Sequence, residues 1–212
     1  MSHVCAELHR LVNALPTQAF PFDSSRIARN GFYVLFEDGE QAHGGRRIVR
    51  IGTHTGAHQL GSRLVQHFVM EKKDRSIFRK NIGRALLNQT GDPFLADWNL
   101  DLTTRAARVL HGARIDTARQ LQIEEEVSSY MRRQFRFAVI PAGDKTDRLW
   151  WESRLISTVA QCEECKPSRG WLGLSSPSPK IRDSGLWQVN ELSGSTLTDS
   201  SPADFSALFS RK

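Results

Sequence analysis

Two short apolar runs separated by turn residues constrain this chain more than any other feature. The first, residues 31–36 (GFYVLF), is aromatic and β-branched enough to be a strand. The second, residues 46–51 (RRIVRI), mixes arginines with β-branched residues and stops at Gly52. Between them stand Asp38, Gly39, His43, Gly44 and Gly45, residue types that turns recruit. This pattern predicts an antiparallel hairpin with a longish loop. Side chains alternate along a strand, so of Phe32 and Tyr33 one is expected to face away from the core.

Periodic segments surround the hairpin. Leu60, Leu64 and Phe68 recur at four-residue spacing and predict a short helix. A second helix is expected over 76–88, a third over 115–133 and a fourth over 147–161, the last capped by Asp144 or Thr146. A helix over 6–15 precedes a turn through Pro16 and Pro21. Residues 135–140 read as the third strand, 166–184 as a Pro-, Ser- and Gly-rich loop, 186–192 as a further strand, and 202–210 as a closing helix. The expectation is an α/β (α+β) fold: a small, mainly antiparallel three-stranded sheet flanked by helices, in one elaborated domain. A chain of 212 residues supports one sizeable core. Its parts are a helical segment over 1–30, a core over 31–165 with a helical insertion over about 91–133, and an extension over 166–212 packed on the core.

A net charge of +6 points to an anionic partner. Lys72, Lys73, Arg75, Arg79, Lys80 and Arg84 fall in one stretch with a single acid, Asp74, and alternate with Ile77, Phe78, Ile82, Leu86 and Leu87. A helix there is expected to bury an apolar face and offer a basic one to a phosphate backbone, with a merely solvated face as the alternative. Few aromatics accompany the charge, so duplex DNA is the expected partner before single strands. No apolar run approaches the ~18–20 residues of a membrane span, and the first residues lack a signal-peptide pattern, so a cytoplasmic location is expected. Three cysteines are too few for a disulfide framework. Cys162 and Cys165 make a Cys-x-x-Cys pair with no second ligand pair nearby in sequence, and are read as chance spacing, not zinc ligands.

Other residues carry candidate chemistry. On a helical wheel Glu152 falls among Leu149, Leu155, Ile156, Val159 and Ala160, where a carboxylate needs a cation; a hard metal ion or an arginine satisfies that need. Arg63 and His67, four residues apart, share a helix edge and pair a phosphate-matching fork with a group that moves protons near neutral pH. The bland alternative is a surface arginine beside a partly buried histidine. His43, His54, His58 and His67 cluster around the hairpin, and are read as DNA-facing loop residues plus one catalytic histidine.

Gly31, Phe32 and Tyr33 with Arg50, Ile51 and Gly52 resemble the paired GIY and YIG motifs of the GIY-YIG nucleases. The segments VRIGTH (49–54), SIFRKNIGRAL (76–86) and GLWQVN (185–190) are similar to a bacterial subgroup of that superfamily. The resemblance implies a metal-dependent endonuclease that hydrolyses DNA phosphodiester bonds. Tyr33, Arg63, His67 and Glu152 are its catalytic residues, and Glu152 is the ligand of Mg²⁺ or Mn²⁺. Tyr33 would help to activate water, with Arg63 supplying the positive field a phenol needs for that role. Arg46 and Arg47 join the basic stretch as DNA contacts. One departure matters: Arg50 stands where the family usually has its second Tyr. His54 is the candidate to compensate, with Arg50 and Asn190 completing a variant site. The other reading is a catalytically inactive DNA-binding module or subunit that recruits a protein partner.

Overall fold

A computed structural model describes residues 2–197 and 208–209. Four strands form one antiparallel sheet in the order β1 (Thr17–Ala19), β4 (Phe135–Pro141), β2 (Gly31–Ala42), β3 (Gly45–Thr53). The expected sheet was therefore one strand short. The segment between Pro16 and Pro21, read as a turn, instead adds a short edge strand to β4.

The hairpin differs from expectation in its connection. β2 and β3 run on until His43 and Gly44 alone turn the chain, both at positive φ (50° and 73°), the two-residue geometry that suits the strand twist. Asp38 and Gly39 lie inside β2, where the register with β3 shifts between Phe36 and Gln41. A second shift, between Leu35 and Phe36, leaves Val49 as an extra residue on β3. That bulge brings Val49 and Arg50 to the same face of the sheet as Tyr33.

Both faces of the sheet are covered, which explains the unbroken apolar run of β2. Tyr33, Leu35 and Val49 pack against α2 (Leu60–Phe68), α3 (Ile77–Thr90) and α6 (Thr117–Gln134). Phe32, Val34, Phe36, Ile48 and Ile51 pack against α1 (Ser2–Asn13) and α7 (Lys145–Ala160). Phe32 and Tyr33 are thus both fully buried, contrary to the expectation that one faces outward.

Between α3 and α6 lie two short helices, α4 (Leu95–Trp98) and α5 (Arg105–His111). Trp98 packs on Gly83 of α3, where any side chain would collide with the indole. The C-terminal extension enters the core: after α8 (Pro179–Ser184), Leu186 and Trp187 are fully buried. The strand expected over 186–192 does not form. Trp187 N–H makes one bond to Val49 O (2.8 Å) at the bulge, and Gln188 uses its side-chain oxygen, not its backbone, to accept from Ile51 N–H (3.0 Å). The helix expected over 202–210 lies outside the described residues except for Leu208 and Phe209, which are helical.

Side chains close the free edge of β3. Asn13 bonds both backbone groups of Arg46, His9 Nε2 accepts from Ile48 N–H (3.2 Å), and Glu152 Oε1 accepts from Thr53 N–H (2.9 Å). With Trp187 and Gln188 these contacts remove the unpaired edge that would otherwise invite a foreign strand.

Candidate active site

The site lies on the Tyr33 face, near the end of β3. Tyr33 pairs in register with Gly52, and a Cβ at Gly52 would come within 2.5 Å of Tyr33 Cζ. The missing side chain lets the phenol lie across β3 and reach His67 on α2, with Oη 2.7 Å from Nε2. His67 is completely buried, and its Nδ1 is 2.7 Å from Ser76 Oγ. Ser76 is also the N-cap of α3, accepting from Arg79 N–H (3.2 Å). Tyr33, His67 and Ser76 are therefore linked in line. With the ring proton on Nδ1 toward Ser76, Nε2 can accept the tyrosine proton. Burial holds His67 well below the ordinary histidine pKa, and the cations Arg63, Arg50 and Arg79 push the same way. His67 stands neutral at physiological pH.

Arg50 occupies the place of the second tyrosine and touches the first. Its Nε donates to Tyr33 Oη over a long 3.4 Å, its Nη1 donates to Trp187 O, and its guanidinium lies 5.0 Å from the Phe78 ring centre. Arg63 is half-buried on α2, with Nη1 bonded to Gln66 (2.9 Å) and, at 3.4 Å, to Arg75 O. It lines a polar pocket with Thr53, His54, Gln59 and Ser62.

Glu152 reaches this region from α7, whose N-terminus Asp144 caps by accepting from Thr146 and Asp147 N–H. The apolar face of α7 is narrower than the helical wheel implied. Leu149 is 39% exposed, and Glu152 sits half-buried beside the β3 edge instead of inside the core. Burial raises its pKa and Glu191 adds to this, while the Thr53 N–H and the guanidiniums of Arg50 and Arg63 pull it back. Glu191 shares a pocket with Glu152 and is held at φ 60°. One oxygen of Glu152 is fixed by the backbone, a second carboxylate is nearby, and the donors are hard, so these residues fit a Mg²⁺-type ion.

A family model described as a GIY-YIG domain matches residues 9–204. The chain belongs to the GIY-YIG family. No curated protein and no solved structure matches it. The family is one of nuclease type, and the match takes in the hairpin, α2, α7 and the C-terminal extension.

Several site expectations for this GIY-YIG domain need correction. His54, read as a DNA-facing loop residue, and Arg50, its companion in the variant site, are only 4% and 7% exposed. His54 Nδ1 donates to Gly56 O (2.5 Å) in the loop after β3 and Nε2 accepts from Gly31 N–H (3.4 Å) at the start of β2, so neither nitrogen is spare. Asn190 is exposed in the bend after Gln188. Of the four clustered histidines only His67 enters the Tyr33 relay; His43, at the hairpin tip, faces cysteines.

The basic helix is not a basic face. α3 is buried on nearly all sides, so Arg79 and Lys80 turn inward and meet carboxylates there. Arg79 pairs with Glu124 (2.8 Å) and bonds His67 O and Ser128; Lys73 and Lys80 reach Asp74 and Leu100 O. Arg84 bonds Asn81 and Asn99. On β3, Arg47 is fully buried against Glu40 and Gly185 O, and Arg46 bonds Asn13 and Thr17 while stacking on Phe36. Lys72 and Arg75 alone of the expected DNA contacts are exposed.

Sequence reasoning missed Ser76, Gln188 and Glu191. Ser76 carried a signal, since a serine just before a periodic run is an N-cap candidate; the other two depend on how the extension folds back.

Proposed function

We propose that this GIY-YIG protein is a cytoplasmic, metal-dependent endonuclease that hydrolyses DNA phosphodiester bonds. The observation that carries this reading is the 2.7 Å contact between Tyr33 and a buried His67, with Arg50 touching the tyrosine hydroxyl and Arg63 on the same helix as His67.

Glu152 would hold Mg²⁺ or Mn²⁺, which supplies Lewis-acid neutralisation of phosphate charge. Arg63, lining the open pocket, receives the scissile phosphate and balances charge that develops on its oxygens. Phosphate also competes for Arg50, whose 3.4 Å bond to Tyr33 is its longest polar contact; drawing Arg50 away frees the hydroxyl. Tyr33 then takes a proton from the attacking water while passing its own to His67 Nε2, and Ser76 Oγ steadies the Nδ1–H of the resulting imidazolium. The buried ring disfavours that charge and returns the proton as the leaving oxygen needs it.

One observation favours a second reading, an inactive DNA-binding module that works with a partner: Tyr33 has no exposed surface, and Arg50 contacts its hydroxyl. Incubating the protein with supercoiled plasmid, single-stranded DNA and RNA, each with Mg²⁺ or EDTA, separates the two. Mg²⁺-dependent nicking of the plasmid supports the nuclease. Binding without cleavage of any substrate supports the module.

A further inference from the structure

All three cysteines of the chain meet at one point on the far side of the sheet from Tyr33. Cys5 comes from α1, and Cys162 and Cys165 from the turn that follows α7. His43 joins them from the tip of the β2–β3 hairpin. Cys5 Sγ is 3.4 Å from Cys165 Sγ, and His43 Nε2 is 3.3 Å from Cys165 Sγ and 3.4 Å from Cys162 Sγ. The ligand atoms of Cys5, His9, His43 and Cys165 all lie within 4.8 Å of one another. With Zn–S near 2.3 Å and Zn–N near 2.0 Å, ligand atoms around a tetrahedral zinc stand about 3.3–3.8 Å apart. The Cys5–Cys165, His43–Cys165 and His43–Cys162 contacts, at 3.3–3.4 Å, have the spacing of such a ligand shell.

We propose that Cys5, His43, Cys162 and Cys165 form a structural zinc site that ties α1, the hairpin tip and the end of α7 together. Two details favour this set. Glu164 Oε2 lies 3.3 Å from His43 Nδ1, the carboxylate-behind-imidazole arrangement that leaves Nε2 for a metal. His9 is the less available histidine, because its Nδ1 bonds Cys5 O (2.9 Å) and its Nε2 accepts from Ile48 N–H (3.2 Å). Its role is to brace α1 against β3. The cysteines are buried, as the sulfurs of a structural site are. A disulfide is the competing use of two of these cysteines, but the third sulfur and the histidine would then have no common partner.

No second ligand pair stands near Cys162 and Cys165 in sequence, because the partners the fold brings to them lie 119 or more positions away. The site is separate from the Glu152 region, so its test does not depend on nuclease activity.

The full chain should be purified under reducing conditions without chelator and its metal content measured by mass spectrometry, with cobalt exchanged into the wild-type protein. The expected result is about one zinc per chain, and a cobalt spectrum with tetrahedral ligand-field bands and sulfur-to-metal charge transfer. Cys165→Ser and His43→Ala should lose the zinc, whereas Glu152→Gln should keep it. Zinc far below one per chain together with an octahedral or absent cobalt spectrum would overturn the proposal. So would an intact mass showing a Cys5 disulfide, or full zinc retained by a Cys5→Ser, Cys165→Ser double variant. The wild-type measurements stand even if a variant fails to fold.

Discussion

Gly52 carries no functional group, yet it sets where Tyr33 can reach. The phenol lies where a Cβ would be, so Gly52→Ala is expected to cost ~1–3 kcal/mol by overpacking and to lower cleavage by pushing Oη off His67. Tyr33→Phe should lower cleavage by ~10²–10⁴, as for loss of a proton-transfer group, and cost ~1–3 kcal/mol because the buried His67 Nε2 loses its partner. Single-turnover rates and thermal melts on both variants check this. His67 gives a pH prediction with a definite sign. Its pKa is depressed in the folded state, so the unfolded chain binds the proton more readily at mild acid. The stability it contributes is fully present above the ordinary histidine value of ~6.5, and is lost as pH falls below that toward the depressed value. The loss is ~1.4 kcal/mol per pH unit. Denaturant titrations between pH 5 and pH 7.5 should show the wild type approaching that slope below ~6.5 and levelling above it, with a shallower acid limb in His67→Gln.

At the scale of elements, α3 shows what a sequence pattern conceals. Arginines and lysines at helical spacing read as a solvated or DNA-facing surface, but a helix at the centre of one core has no free face. Arg79 and Glu124 are 0% and 3% exposed at their side chains, so Arg79→Ala leaves a buried carboxylate unpaired and should destabilise by ~3–5 kcal/mol in a denaturant melt. Replacing exposed Lys72 and Arg75 by Ala should leave stability alone and lower the salt slope of duplex binding by up to ~0.9 for each lost phosphate contact. An unchanged slope would place the DNA path elsewhere. The residues legible in the sequence were those tied to local pattern: the hairpin strands, the periodic α2, the Asp144 cap, and the glycines of the paired motifs. What was not legible depends on distant segments meeting. The one-residue bulge at Val49, the inward turn of Arg47 toward Glu40, and the Trp187 bond that replaces a strand all require the extension to be in place.

Across the whole molecule, the edge of β3 joins fold and chemistry. Its outward backbone groups are taken in turn by Asn13, His9, Trp187, Gln188 and Glu152, drawn from α1, the C-terminal extension and α7. Glu152 closes that edge with one oxygen and is proposed to hold a metal ion with the other. The same contact keeps α7 beside Arg50 and Arg63. No helix among the described residues is long and apolar enough to cross a membrane. The most direct test of the central claim uses Glu152→Gln, in which the amide oxygen can still accept from Thr53 N–H while the negative charge is gone. Cleavage and binding of the same duplex should be measured in Mg²⁺ at matched salt. The account predicts that wild type cuts, and that Glu152→Gln binds with a Kd close to wild type but does not cut. Cleavage by the variant at the wild-type rate would contradict it.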